Sequence, residues 1–221
     1  MKYKYQLHTH TAPTSKCAVT SPAELAETLY RAGYSGAVIT NHFYHGNTGV
    51  SRELSWADFV SAYERDYIEC KKEGEKYGLD IIFGIEEGVE EHNEILCYGI
   101  TPQMLYEHPE LQCGSAETWY RVMHELGALV IQAHPYRYLC TPLPLEHVDG
   151  VEVYNHSHNP EYNDSAEIFA KAHPNLIFTS GADTHTPDDV GCGGICTDER
   201  IRDGKDLVEV LRSGRYSLLK P

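Results

Sequence analysis

The sequence is short of basic residues, of long apolar runs and of paired cysteine motifs, and each shortage removes a class of function. Lys and Arg number 18 against 33 Asp and Glu, a formal charge of −15. The broad basic footprint that extended nucleic acid or an anionic membrane requires is therefore missing, although a local basic patch for a phosphate group remains compatible. No stretch reaches the length of apolar residues that spans a bilayer. The N-terminus carries no apolar core of a signal peptide, and a strand-like segment begins at Tyr3, so a cytoplasmic protein is expected. The seven cysteines (Cys17, Cys70, Cys97, Cys113, Cys140, Cys192, Cys196) are odd in number and scattered. They form no matched C-x-x-C pairs, which leaves zinc-ribbon and redox motifs unsupported. Cys192 and Cys196 sit in a Gly-rich stretch read as a loop. Free thiols are expected throughout, with Cys17 as an ordinary buried one.

Histidine and carboxylate at strand ends stand out among what is present. Tyr3-Lys4-Tyr5-Gln6-Leu7 runs into His8-Thr9-His10-Thr11. Side chains two apart on a strand point the same way, so His8 and His10 present two imidazoles together, a grip suited to Zn, Fe, Ni or Cu. His42, Glu86, His134, and Asp183 with His185 likewise follow short apolar runs. The repetition of this pattern lifts the first pair above chance.

Expected strands are 3–7, 37–40, 80–85, 95–99, 128–132, 150–154 and 176–180, with a late one at 216–219. Several are continuous apolar runs, as in strands covered on both faces. Helical patterns alternate with them. Ser21-Pro22-Ala23-Glu24 offers a cap, a first-turn proline and a capping-box glutamate, with Gly33 as the stop. Ser55 opens a long helix over 56–77 that Gly78 ends, and 116–126, 165–172 and 206–213 complete the set. Alternation implies an α/β protein with a mostly parallel sheet, closed or open. Six strand ends bearing metal-type residues fit a closed barrel, where all such ends meet on one face, better than an open sheet. No repeat or linker interrupts 1–221, so a single domain is expected.

Mixed histidine and carboxylate ligands suit a cluster of two or three Zn, Mn or Fe ions, and a carboxylate such as Glu86 can bridge two of them. Such clusters hold a phosphoryl oxygen, make hydroxide from water and stabilise a leaving oxygen. No Ser-His-Asp elbow, Walker loop or G-x-G-x-x-G competes. Leu7-His8-Thr9-His10-Thr11, Ile39-Thr40-Asn41-His42, Gly84-Ile85-Glu86, Ala133-His134-Pro135, 151–155 and Gly181-Ala182-Asp183-Thr184-His185, in this order, resemble the polymerase and histidinol phosphatase (PHP) superfamily. The resemblance implies a distorted (β/α)7 barrel with a di- or trinuclear centre that hydrolyses phosphate esters. It implies that His8, His10, Glu86 and Asp183 hold one metal. Glu86 would bridge to a second held by His134, and His42 and His185 would hold a third.

Three departures from the family pattern bear on the site. Asn41 stands where the family usually has Asp, keeping an acceptor but losing a charge. Thr14-Ser15-Lys16-Cys17 stands where an acidic or histidine ligand is common, so Cys17 would serve as a thiolate there or leave the third site partial. In segment 90–96 the register favours Glu94 as a ligand to the second metal, with His92 as the rival. Asp183 or His185 would handle protons, and Arg137 is a candidate phosphate clamp because guanidinium matches phosphate in a forked geometry. Glu152 and Asn155 would orient the site or bind substrate, or else make a plain strand-end hydrogen bond. His156 and His158 lie off the family pattern and are read as solvated. The expected activity is hydrolysis of a small phosphomonoester or nucleotide. An exonuclease, or a metal or ligand sensor without catalysis, are the alternatives.

Overall fold

Ser21 and Ser55 start their helices as the sequence expects: the Ser21 side chain accepts from Glu24 N with Pro22 in the first turn, and Ser55 accepts from Asp58 N. The computed structural model describes residues 1–220 apart from the side chain of Glu91; Pro221, last in the expected single domain, lies outside the described residues. The order is β1 (Tyr3–Gln6), α1 (Pro22–Arg31), β2 (Gly36–Ile39), α2 (Trp56–Glu75), β3 (Asp80–Gly88), β4 (Glu94–Tyr98), α3 (Pro102–Tyr106), α4 (Ala116–Glu125), β5 (Leu129–Gln132), β6 (Gly150–Asn155), α5 (Pro160–Ala172), β7 (Ile177–Gly181), β8 (Gly194–Thr197), α6 (Gly204–Ser213) and β9 (Tyr216–Leu219).

All nine strands belong to one sheet in the order β7-β6-β5-β4-β3-β2-β1-β8-β9. Its two edges approach each other. Tyr216 OH on β9 donates to Phe178 O on β7 at 2.8 Å, and Ser180 Oγ donates to Leu219 O at 2.5 Å. Beyond the strand ends, His10 N donates to Thr184 O and Thr184 N to His8 O, which joins the exit of β1 to the exit of β7. The sheet is thus a nearly closed barrel, with the antiparallel β8–β9 pair, joined through α6, wedged in the seam.

The sheet is less parallel than the alternation implied. β4 runs antiparallel to both neighbours, because β3 and β4 form a hairpin closed by a 3-10 turn over Glu90–His92. Gly88 at the exit of β3 therefore pairs with Glu94 at the entry of β4. A strand that runs backwards puts its first residue, not its last, at the end of the barrel where the parallel strands finish. The loop read around Cys192 and Cys196 contains β8, antiparallel to β1. Helix α5 begins five residues earlier than expected, since Asn159 caps it and Pro160 opens it.

Inside the barrel, Leu7, Val38, Ile82, Leu96 and Ile131 pack together, and Leu207, Val208 and Leu211 of α6 plug one end. Period-two alternation then puts Glu86 on the inward face with Ile82, and Glu94 on the inward face with Leu96. Outside, Phe43 meets Trp56, Phe59, Tyr63 and Trp119 edge-on, an aromatic layer that holds α2 and α4 against the wall.

Candidate metal centre

The exits of β1, β2, β3, β5 and β7 and the entry of β4, at the open end of the barrel, deliver polar side chains to one place. His8 and His10 leave β1 with ring centroids 5.2 Å apart. His42 follows β2, where its backbone bridges to Glu86 on β3. Glu94 enters on β4, His134 follows β5, and Asp183 and His185 follow β7. His8, His10, His42, Glu86, Glu94, His134 and Asp183 are all buried. Together with Cys17, Arg137, Ser157, His158 and His185, five of them (His42, Glu86, Glu94, His134 and Asp183) line a cavity of about 300 Å³.

The ligand-type atoms form overlapping groups, each within 4.8 Å: His8, His10 and Asp183; His8, Glu86 and His134; His42, Glu86 and Glu94; His10, His42 and His185; and His134, His158 and Asp183. Glu86 is central. Its Oε1 lies 3.0 Å from His8 Nε2 and 3.2 Å from His134 Nε2, while its Oε2 lies 2.9 Å from His42 Nδ1 and 3.2 Å from His10 Nε2. Distances this short normally mean hydrogen bonds, yet most of the angles do not serve them. Nε2 of His8 and His10, Nδ1 of His42, Oε2 of Glu86 and Oδ1 of Asp183 are buried without a hydrogen-bond partner. Each such orphan costs about 1–3 kcal/mol, and so many in one cavity are out of keeping with a plain structural network. Lone pairs aimed at common points from nitrogen and carboxylate donors fit divalent cations.

Outer residues fix the donors. His8 Nδ1 meets Glu152 Oε1 at 3.0 Å, and Glu152 Oε2 accepts from His134 N at 3.1 Å and Asn155 Nδ2 at 2.8 Å. One buried carboxylate thus orients two candidate ligands. Gly181 makes room for it, because a Cβ there would sit 2.3 Å from Glu152 Oε1 and 2.5 Å from His8 Cβ. His10 Nδ1 meets Ser15 Oγ at 3.0 Å, and Ser15 Oγ donates to Asn41 Oδ1 at 2.9 Å. Asn41 Oδ1 also accepts from Thr11 N at 2.6 Å, so the missing charge of the family's Asp leaves its acceptor role intact. His134 (φ 26°) and Asp183 (φ 51°) hold left-handed backbone, which side chains other than glycine adopt at a cost of about 1–3 kcal/mol where surroundings enforce it.

The field of the pocket draws positive charge. Burial disfavours a charged His8, yet Asp183 and Glu86 raise its proton affinity well above the ordinary imidazole range. Burial likewise opposes charge on His42 and His134, but Glu86 and Cys17 push His42 up to about 11, and Cys140 and Glu86 push His134 up to about 10. Burial works against ionised Glu86 and Asp183 as well, and the neighbouring histidines, His8 foremost, hold both carboxyls well below their usual range. A cation competes with the proton for the same lone pairs. His158 moves the other way, to about 4, through burial and repulsion from His134.

Several expectations change. Cys17 is exposed rather than buried, 3.0 Å from His185 Nε2; the segment after His10 turns back across the cavity through Lys16 N to Asn47 O and Val19 N to His185 O, leaving its thiol at the rim. All seven cysteines are free. Glu94 reaches the cluster, whereas His92 is exposed on the outer hairpin turn. Arg137 Nη2 pairs with Glu94 Oε2 at 2.8 Å, so the guanidinium stands at the cavity wall and is already engaged on one side. His158, read as solvated, lines the cavity with Nε2 3.5 Å from Asp183 Oδ2. Its signal was present: His156-x-His158 follows the end of β6 as His8-x-His10 follows β1.

Solved structures share this barrel. A two-domain protein of Bacteroides vulgatus containing a predicted PHP-like metal-dependent phosphoesterase superposes with a TM-score of 0.72 at 18% identity, over 99% of this chain and 64% of its own. This chain thus spans less than two thirds of that protein. An amidohydrolase from Chromobacterium violaceum, solved with bound sulfate and no metal, gives 0.63 at 15% identity over 99% and 98%. The lesion-specific endonuclease Q of Pyrococcus furiosus gives 0.67 at 14% identity over 99% and 58%. At these identities the likeness is one of fold. No curated protein matches the sequence significantly. Residues 6–209 match the PHP domain, a span running from β1 into α6 that includes every residue lining the cavity, and the chain therefore belongs to the PHP domain family, with the barrel of PHP-like metal-dependent phosphoesterases.

Proposed function

We propose that this protein hydrolyses a small phosphate ester, a phosphomonoester or nucleotide, at a centre of two or three divalent cations (Zn, Mn or Fe). The observation that carries this reading is the convergence of buried, unpartnered nitrogen and carboxylate atoms on Glu86. His8, His10, Glu86 and Asp183 would hold one cation, His134 and Glu94 with Glu86 a second, and His42 and His185 a third. Cations so held supply Lewis acidity towards a phosphoryl oxygen and lower the pKa of water.

The chain's own groups divide the remaining work. Glu152, Ser15 and Asn41 lock imidazole orientation, which preserves the geometry that the reaction needs. Arg137, anchored by Glu94, offers its free edge to a phosphoryl oxygen. His185 is engaged at both nitrogens, by Asp183 O at 2.7 Å and by Cys17 Sγ at 3.0 Å. For a ligand role, Nδ1 would stay on Asp183 O while Nε2 exchanged the Cys17 thiol for the cation. Asp183 points Oδ1 at His8 and His10 and leaves Oδ2 towards the cavity.

A cavity of about 300 Å³ lies at the small end for ligand sites, which supports a compact substrate. The shared fold with a DNA-lesion endonuclease favours a second reading, cleavage of a nucleic-acid strand, against which the net charge of −15 weighs. The deciding experiment measures phosphate release from sugar, amino-alcohol, aryl and nucleotide phosphates by Mn-reconstituted protein beside Asp183→Asn. Turnover lost in the variant supports the reading. Silence across the panel, with salt-sensitive single-strand binding, would transfer support to the nuclease.

A further inference from the structure

The groups first in line to act on the substrate are committed in part: the free edge of Arg137 suits a phosphoryl oxygen and leaves the ester oxygen without a donor. Asp183 Oδ1 and both nitrogens of His185 face other cluster members, and Arg137 is paired with Glu94. One cavity-lining imidazole is left. His158 stands edge-on to His134, ring centroids 4.8 Å apart at 89°, and its buried Nε2 has no hydrogen-bond partner. That nitrogen lies 3.5 Å from Asp183 Oδ2, too far and too poorly aligned for a bond, but near enough that the carboxylate favours the tautomer with hydrogen on Nε2.

Its placement is built. Ser157 Oγ lies 2.8 Å from Ala182 O and 3.0 Å from Asp183 O, and Ser157 N donates to Asn155 Oδ1 at 3.0 Å. Asn163 brackets Asn155, donating to its carbonyl and accepting from its N–H, both at 2.9 Å. The turn after β6 is thereby tied to the Asp183 turn, which holds residue 158 at the cavity wall. The ring itself is less restrained. His8, His10 and His185 each anchor Nδ1 on a fixed partner, the usual condition of a metal-bound histidine. Among the described residues no hydrogen bond fixes Nδ1 of His158. A firmly held backbone with an unpartnered Nε2 at the cavity wall suits a group that meets a substrate atom.

We propose that His158 is a catalytic residue that donates a hydrogen bond from Nε2–H to the ester oxygen of the substrate and stabilises that oxygen as it leaves. The proposal rests on the phosphoesterase reading above. The role needs only an N–H at Nε2, which neutral imidazole supplies. As the P–O bond breaks, its electron pair goes to the leaving oxygen, which is held by His158 and takes its proton from solvent, while an oxygen from water completes the phosphate. Donors aimed at developing charge gain strength as the charge grows, so the contribution depends on how poor the leaving group is.

The test compares kcat/KM of wild type, His158→Phe and His158→Gln on 4-nitrophenyl phosphate and on glycerol phosphate, with metal content and Tm measured for each protein. His158→Phe should lose on the order of 10²–10³-fold on the alkyl ester and less than about threefold on the nitrophenyl ester, whose leaving group needs little help. His158→Gln keeps an N–H and should recover part of the alkyl activity. Equal losses on both esters would overturn the proposal, as would loss of a metal equivalent, which would make His158 a ligand. Either result leaves the phosphoesterase reading standing. If wild type acts on neither ester, an alkyl and an aryl phosphate that it does hydrolyse from the panel above take their place; silence across that whole panel would remove that reading, and the role of His158 with it.

Discussion

The two ends of the barrel handle buried polarity in opposite ways. At the floor, Tyr5 OH donates to Asp80 Oδ2 at 3.2 Å and accepts from Ile201 N at 2.9 Å, while Arg200 grips the same carboxylate through Nε and Nη2 at 2.8 and 3.0 Å. Protein groups complete that network. At the mouth, Nε2 of His8 and His10, Nδ1 of His42, Oε2 of Glu86, Oδ1 of Asp183 and Nε2 of His158 are buried without partners. Side-chain polarity satisfied internally is there to hold the fold, whereas polarity left open at one place, and held there by strained backbone at His134 and Asp183, is there for a ligand.

The largest effects that would break this contrast lie at the mouth. Asp183→Asn should lower turnover by on the order of 10³-fold or more, because it weakens cation chemistry that contributes several kcal/mol. It should also lower the Tm of metal-free protein, because His8 and His10 lose the carboxylate that they hold well below its usual range. Turnover that survives in the folded variant would show that Asp183 is no part of the site. Removal of metal from wild type should lower stability by about 4 kcal/mol for a cation present at a thousand times its Kd, roughly 8–16 °C in Tm. Calorimetry with and without chelator reads this directly, and an unchanged Tm would contradict a metal centre.

Acid should weaken the mouth specifically. His8, His42, His134 and His185 all bind protons more tightly than free imidazole, with values of about 11, 10 and 9 for the last three, despite burial that opposes their charge. Each proton must leave before a cation binds, so metal affinity should rise with pH and fall by at least about tenfold from pH 8 to pH 6. Stability of the metal-free protein runs the other way. Groups whose folded values are raised stabilise fully below the unfolded value of about 6.5, and that stabilisation is lost as pH rises through about 9 to 11. Titration calorimetry and pH-dependent melting separate the two trends; metal affinity independent of pH would count against histidine ligation.

Changes at the floor and in the outer layer should be smaller. Tyr5→Phe deletes the hydroxyl shared by Asp80 and Ile201 and should cost about 1–2 kcal/mol with metal content unchanged. A fall in metal content would mean that the two ends are coupled. Smallest of all, Asn41→Asp keeps both acceptor contacts and should alter metal affinity by only a few-fold, while Asn41→Ala, which frees Ser15 and so His10, should weaken it about 10–100-fold. Equal affinities for the two variants would show that Asn41 does not act through Ser15.

Much of the fold was legible because its signals are local. Ser21-Pro22 and Ser55 cap helices through contacts three residues long, and the inner strands are apolar runs that need no distant partner to be recognised. The reversed β4, the strand β8 in a Gly-rich stretch and the early start of α5 were harder to read, since pairing direction is decided by what lies alongside. The same division runs through the site. His8, His10, His42, Glu86, His134, Asp183 and His185 stand at strand exits, and a closed barrel brings exits together. Glu152 and Cys17 could not be placed so, because a carboxylate inside a strand and a cysteine in a long loop read the same whether or not they face the pocket.

By itself, then, the sequence determined the kind of chemistry and most of the candidate ligands, because histidine and carboxylate types and their spacing two apart are properties of the chain alone. Tertiary structure decided the rest: that Glu94 and not His92 enters the cluster, since β4 runs backwards; that Cys17 lies at the rim; that one buried Glu152 steadies both His8 and His134; and that His158 faces the cavity. All four depend on contacts between residues far apart in the chain, and such contacts exist only once the barrel has closed.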